Sequence, residues 1–253
     1  MLKKIVLLFL AVLALVLLCL SQETETKGLI AQGDELYAQR VDLAKAKEAL
    51  AKYQEVLLKG ENKYEAYWKM AKAEYWIGDH VPDSKEKKAA FQMGIYYGKK
   101  AIALEPEKPD GHYWLGVNYG KYGEAKGVLK SLSLVKPIKA EMNKVVELDR
   151  AYEAGGADRV LGRVYYKLPG FAGGSNKKSL EHLLKSKEYG PNDATTRMFL
   201  AETYLDLDKV EEARQELEYL IGMTSAPEDE AETQEFQAQA KKMLAEKKEF
   251  RKK

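Results

Sequence analysis

The stretch from Asp110 to Gly123 reads D-G-H-Y-W-L-G-V-N-Y-G-K-Y-G and follows A-I-A-L-E-P, Ala101 to Pro106. An apolar helical run stopped by proline, then a second run with Leu115-Gly116 and Tyr119 at helical spacing, is the joint between two helical hairpins. The joint recurs at Gly190-Pro191-Asn192-Asp193, which precedes Met198-Phe199-Leu200-Ala201 and Tyr204.

An A-x-x-x-x-P ending followed by x-x-x-L-G-x-x-Y is the tetratricopeptide (TPR) pattern. It predicts an all-α, tetratricopeptide-repeat superhelix of about five helical hairpins with a C-terminal capping helix. A stacked array accommodates 253 residues without one very large core. With 45% hydrophobic and 32% charged residues, the composition is that of a folded chain. Such repeats build surfaces and carry no reaction chemistry of their own.

Residues 1–21 stand apart. Lys3 and Lys4 precede an unbroken apolar run from Ile5 to Leu20, and Cys19-Leu20-Ser21 places small residues for cleavage after Ser21. The run reads as a signal peptide, with an N-terminal membrane anchor as the alternative. Leu17 and Leu18 precede Cys19, where a lipoprotein carries a small residue, so the sequence does not support lipidation at Cys19. Cys19 is the only cysteine, which excludes structural disulfides from the exported part. With Lys3 and Lys4 set aside, basic and acidic residues balance, which argues against a nucleic-acid partner.

The repeat domain is expected over 22–226. Its first hairpin spans about Lys27 to Lys59, and the second starts at Glu65 with a linker over His80 to Lys88. Pro82-Asp83-Ser84 within that linker caps the next helix. The third repeat is the one quoted above. Its second half reads as two pieces, a short basic helix over Glu124 to Val135 and another begun by Pro137. In the fourth, Leu168 to Asn176 is a tight turn capped by Ser175 or Asn176, with a positive φ at Gly173 or Gly174. The fifth runs from Asn192 to Gly222. Residues 227–253, acidic first and basic last, form the charged capping helix.

No motif points to catalysis. His80, His112 and His182 have no cysteine or second histidine at ligand spacing, so no metal or cofactor is expected. Gly173-Gly174-Ser175-Asn176-Lys177-Lys178 lacks the spacing of a phosphate loop and follows a helix where a strand is required.

Counting along each first helix places Trp68, Lys72, Tyr75 and Trp76 of the second repeat on the concave groove. Tyr113 and Lys121 of the third join them, with Arg159, Arg163, Tyr166 and Lys167 of the fourth. Aromatic area beside cations suits a carboxylate, on an apolar organic acid or an acidic peptide end. Like charges four residues apart repel, so the Arg159–Arg163–Lys167 series needs acidic neighbours or an anionic partner. The plain alternative is aromatic packing between repeats with solvated charges.

The series R-V-L-G-R-V-Y-Y-K-L-P-G-F-A-G-G, Arg159 to Gly174, with Ser179-Leu180, Tyr189-Gly190-Pro191-Asn192 and Trp114 to Gly116, resembles the T component of TPR-associated TRAP transporters, the TatT family. The likeness covers roughly residues 64–222. It implies a periplasmic, helical, trimeric protein, usually a lipoprotein, that pairs with an extracytoplasmic substrate-binding protein and has a hydrophobic cleft or pore for small organic acids. A cell-envelope TPR scaffold without a transport role is the other reading.

Overall fold

The computed structural model describes residues 23–225 and 230–251, and every regular element among them is helical. The N-terminal segment over 1–21, with its expected cleavage after Ser21 and with Cys19, lies outside the described residues. So does the beginning of the C-terminal segment, up to residue 229.

The chain divides into two compact units at Pro106. The first holds α1 (residues 23–38), α2 (Leu43–Lys59), α3 (Lys63–His80) and α4 (Ser84–Leu104). The second holds α5 (Pro109–Lys126), α6 (Val128–Leu148), α7 (Tyr152–Lys167), α8 (Asn176–Tyr189), α9 (Ala194–Leu205), α10 (Val210–Gly222) and α11 (Glu230–Glu246).

The first four hairpins each close on a glycine. Gly33 of α1 faces the Tyr53 ring of α2, Gly78 of α3 faces Phe91 of α4, Gly116 of α5 faces Met142 of α6, and Gly162 of α7 faces Leu183 of α8. A Cβ at any of the four would overlap the facing side chain, so the two helices sit closer than alanine would allow. Tyr53, Phe91, Met142 and Leu183 are consequently among the most buried large side chains. Burying one such side chain contributes about 1.5–3 kcal/mol, which makes these seats a main source of hairpin stability.

Four helix starts, those of α2, α4, α8 and α9, are capped by a carboxylate or a hydroxyl. Asp42 accepts from the Ala44 amide, Asp83 from Lys85 and Glu86, Ser175 from Lys178, and Asp193 from Thr196 at 2.6 Å. Each cap satisfies an amide that has no partner inside its helix, worth about 1 kcal/mol. Only Val81-Pro82-Asp83 joins α3 to α4, so that linker is shorter than its composition suggests.

The expectation for the third repeat also fails. The third repeat's second half is a single helix, α6, with Pro137 in its interior. The break lies earlier, at Gly127, whose φ of 96° ends α5. Leu134, Ile138, Met142 and Val145 form a buried stripe that runs through the proline. Packing of that stripe on α5 outweighs a proline cost of about 3 kcal/mol.

The Leu168–Asn176 turn contains a 3-10 segment, Gly170–Ala172, followed by Gly173 at φ 88°. The Gly174 amide donates to the Pro169 carbonyl and the Ser175 amide to the Tyr165 carbonyl at 2.9 Å. A Cβ on Gly174 would run into the Leu168 backbone. Gly173 therefore needs glycine for its dihedral, and Gly174 for space.

In the second unit α11 lies against α9 and α10, where Gln237 donates to the Leu220 and Met223 carbonyls. Buried Phe250 completes a core of Leu183, Met198, Leu200, Leu217 and Leu220. Among the described residues no helix is long and apolar enough to cross a membrane.

Candidate partner-binding surface

In the first unit, Trp68, Lys72 and Tyr75 follow one another at i, i+4 and i+7 on α3, and each is partly exposed. The Lys69 ammonium lies 4.8 Å from the Trp68 ring centre, and Lys72 lies 5.6 Å from Tyr37. Trp76 does not share that face. It is buried, its Nε1–H donates to the Arg40 carbonyl at 2.8 Å, and its ring is stacked on His80. The Arg40 guanidinium covers the indole at 4.6 Å. Trp76 therefore belongs to the seam between α3 and the α1–α2 connection, and is no groove residue.

In the second unit Tyr113 is also core. It is buried, makes edge contacts with Trp114 and Tyr152, and lies where a Cβ on Gly156 would meet its ring. Burial, set against the nearby Arg159 charge, pushes its hydroxyl up to about 12. That hydroxyl accepts from Arg159 at 2.9 Å.

Arg159 is itself largely covered. It pairs with Asp193 at 2.8 Å and donates to the Glu153 carbonyl at 3.3 Å. Burial alone would lower its pKa, but Asp193 and its other neighbours raise it, so the guanidinium stays charged. The Glu153 contact holds an awkward piece of chain: Glu153, Ala154 and Gly155 are all left-handed, with φ of 48°, 55° and 74°. Left-handed backbone costs about 1–2 kcal/mol per non-glycine residue, which a charged hydrogen bond from Arg159 partly offsets.

Arg163 pairs with Glu202 of α9 and covers the Phe199 ring at 4.1 Å. Tyr166 bonds to Asp206, and burial together with Glu202 and Asp206 pushes its hydroxyl up to about 12. Lys167 is exposed beside it, and Lys121 of α5 is partly exposed. The arginine series on α7 thus has acidic neighbours, and they come from α9 and its two flanking residues: Asp193, Glu202 and Asp206. The carboxylate site expected at Arg159 and Arg163 is filled from within the chain. Position counting treats residues of another repeat as distant, whereas α7 and α9 are packed neighbours. Asp193, read from the sequence only as a turn residue, caps α9 and pairs with Arg159.

The histidines are bound into the same framework. His112 is buried, with Nδ1 at 2.6 Å from Glu141 and Nε2 at 2.9 Å from the Pro106 carbonyl. His182 reaches buried Asp158, which also takes two bonds from Arg150. Among the described residues, no group of three or more His, Cys, Asp or Glu side chains is placed to hold a metal ion.

Sequence reasoning missed one further feature, a groove of about 500 Å³ between α6 and the turn after α7. Leu132, Val135, Lys136, Lys139, Phe171 and Ala172 line it.

Helical hairpins closed on glycines, with aromatic and cationic residues on their first helices, define a helical-repeat scaffold of the tetratricopeptide type. The solved structures agree at the level of fold. A thermophilic TPR protein of Thermus thermophilus is similar at 19% identity and TM-score 0.61, over 85% of this chain and 98% of that one. The pilF protein of Pseudomonas aeruginosa is similar at 12% identity and TM-score 0.57, over 91% and 97%. No curated protein matches. Two family models do, each over more than half of the chain: TRAP transporter T-component at residues 103–250, and Regulator of microtubule dynamics protein 1-3 at residues 29–169. The chain belongs to the TRAP transporter T-component family, and over residues 29–169 also to the family of Regulator of microtubule dynamics protein 1-3.

Proposed function

We propose that this protein is an exported, non-catalytic binding component that works with a periplasmic solute-binding protein of a TRAP-type organic-acid uptake system. The observation that carries this reading is the T-component match, which takes in all of α5 to α11 and most of the short turn that follows. In this reading the partner meets the exposed and partly exposed residues of the two units. They are Trp68, Lys72 and Tyr75 in the first unit, and Lys121, Arg163, Tyr166 and Lys167 in the second. A small organic acid bound directly at α7 would have to compete with Glu202 for Arg163, so protein contact is the primary role. A homotrimer and an envelope location follow from the family reading.

Affinity isolation of the full chain from envelope extracts tests it. A TRAP-type solute-binding protein should co-purify, and Trp68→Ala, which truncates a partly exposed aromatic, should weaken the complex by about 2 kcal/mol. Co-purification of other envelope proteins in its place would leave an envelope TPR scaffold without a transport role. The internally satisfied arginines favour that second reading. Export predicts that envelope material begins at Gln22; N-terminal sequencing that finds Met1, or a lipid-modified Cys19, would overturn cleavage after Ser21.

A further inference from the structure

The groove between α6 and the turn after α7 differs from the rest of the second unit in two respects. Large apolar side chains stand out in solvent around it. Phe171 on the turn is 90% exposed, and Leu129 and Val128 at the start of α6 are 86% and 73% exposed. Val128, Leu132, Val135 and Lys139 then follow at i, i+4, i+7 and i+11, so one stripe of α6 leads from the exposed tip into the groove.

Its charge is also of one sign. Lys136 and Lys139 line the groove and no carboxylate does. Lys139 and Lys178 share the Tyr165 ring, at 3.9 and 5.5 Å, which brings the start of α8 to the same place. Lys126 and Lys130 share Tyr122 at 5.5 and 5.9 Å, near the start of α6. Arg159 and Arg163 of α7 each have a carboxylate partner. Among the described residues none of these five lysines does.

We infer that this patch docks on the surface of a bilayer containing anionic phospholipid. The chemistry calls for an apolar phase behind a layer of negative charge. A protein partner could offer both, but the cores of protein interfaces are depleted in lysine, and every cation here is lysine. The apolar groups sit at a helix start and on a turn tip, where they can enter the acyl boundary. Long lysine stems allow the ammonium groups to reach the headgroups around them. Each such lysine strengthens binding to an anionic surface about fivefold.

The test uses the full chain with Cys19→Ser and a single polarity-sensitive fluorophore on Phe171→Cys. A second preparation carries it on Leu58→Cys, an exposed position of α2, which corrects for tethering by the N-terminal apolar run. Vesicles of phosphatidylcholine with phosphatidylglycerol should shift the emission at position 171 to the blue and leave position 58 unchanged. Pure phosphatidylcholine should give no shift. Lys136→Gln with Lys139→Gln should weaken the response about 25-fold, and salt of about 0.5 M should abolish it. Unchanged circular dichroism and melting would confirm that the double variant folds. No shift at 171, an equal shift at 58, or an equal shift in neutral vesicles would each overturn the inference. So would a shift that appears only when an acidic protein is added.

Discussion

Replacing Glu74 by glutamine should stabilise the protein, and by more as the pH rises. Glu74 lies on α3 and is only 7% exposed. Desolvation pushes its carboxyl from the usual 4.5 up to about 7, with no opposing pull from a cation among the described residues. The folded state therefore holds this proton more tightly than the unfolded chain. Stability from the neutral acid is complete below about pH 4.5 and is lost as the pH rises through about 7. Holding the proton from pH 4.5 up to about 7 corresponds to about 3 kcal/mol lost above neutrality. Glutamine keeps the shape and the buried polar atoms but cannot ionise, so wild type and Glu74→Gln should differ little at about pH 4.5. Urea unfolding of both proteins between about pH 4 and pH 9 reads the difference directly, and other titrating groups cancel between the pair. The gap should open to about 3 kcal/mol in favour of glutamine by pH 8. A gap that stays constant with pH would show that Glu74 ionises normally in the fold, and the desolvation argument would be wrong.

Replacing Gly173 and Gly174 together by valine should lower stability by about 1–3 kcal/mol in thermal melts. Alanine at Gly174 should cost more than alanine at Gly173, because its Cβ meets the Leu168 backbone; equal melting points would contradict this. Glu216→Ala should be among the most damaging single changes, at about 3–5 kcal/mol by urea unfolding. It strands Arg197, which is buried and paired with Glu216 at 2.6 Å, and also releases Lys187. For His112, burial lowers the pKa, but Glu141 and the Pro106 carbonyl together raise it above the usual 6.5. The stability this gives is fully present below about pH 6.5 and lost as the pH climbs through the higher folded value. In Glu141→Gln an NMR titration should find the His112 pKa lowered, and the stability gap to wild type should narrow at alkaline pH.

The hairpins were legible because their signals are local. Leu115-Gly116 and Leu161-Gly162 mark the places where a second helix comes close, and prolines and caps mark where helices end. Pro137 misled because a local rule, that proline begins or breaks a helix, met a stronger one. The stripe from Leu134 to Val145 gains more from lying on α5 as one rod than it loses at a single missing hydrogen bond. Exposure was not legible at all. Spacing puts Trp76 beside Trp68 and Tyr75, but its burial depends on Arg40, 36 residues earlier, whose carbonyl takes the indole N–H.

Charge followed the same logic in the second unit. Counting groups cannot tell a cation that holds two helices together from one that waits for a partner, since both read as basic residues on a helix. Beyond the chemistry of arginine and lysine, Arg159 and Arg163 differ from Lys136 and Lys139 in what α9 places opposite them. Asp193 is fixed there as the cap of α9 and Glu202 by its position two turns along that helix, so each arginine meets, through one guanidinium nitrogen, a carboxylate that the fold already places. Among the described residues no carboxylate lines the groove beside Phe171. The planar guanidinium cations are thus used for internal register, and the flexible, well-hydrated ammonium groups are left on an apolar rim. A surface that must find a diffuse layer of negative charge can use the second kind and has no need of the first.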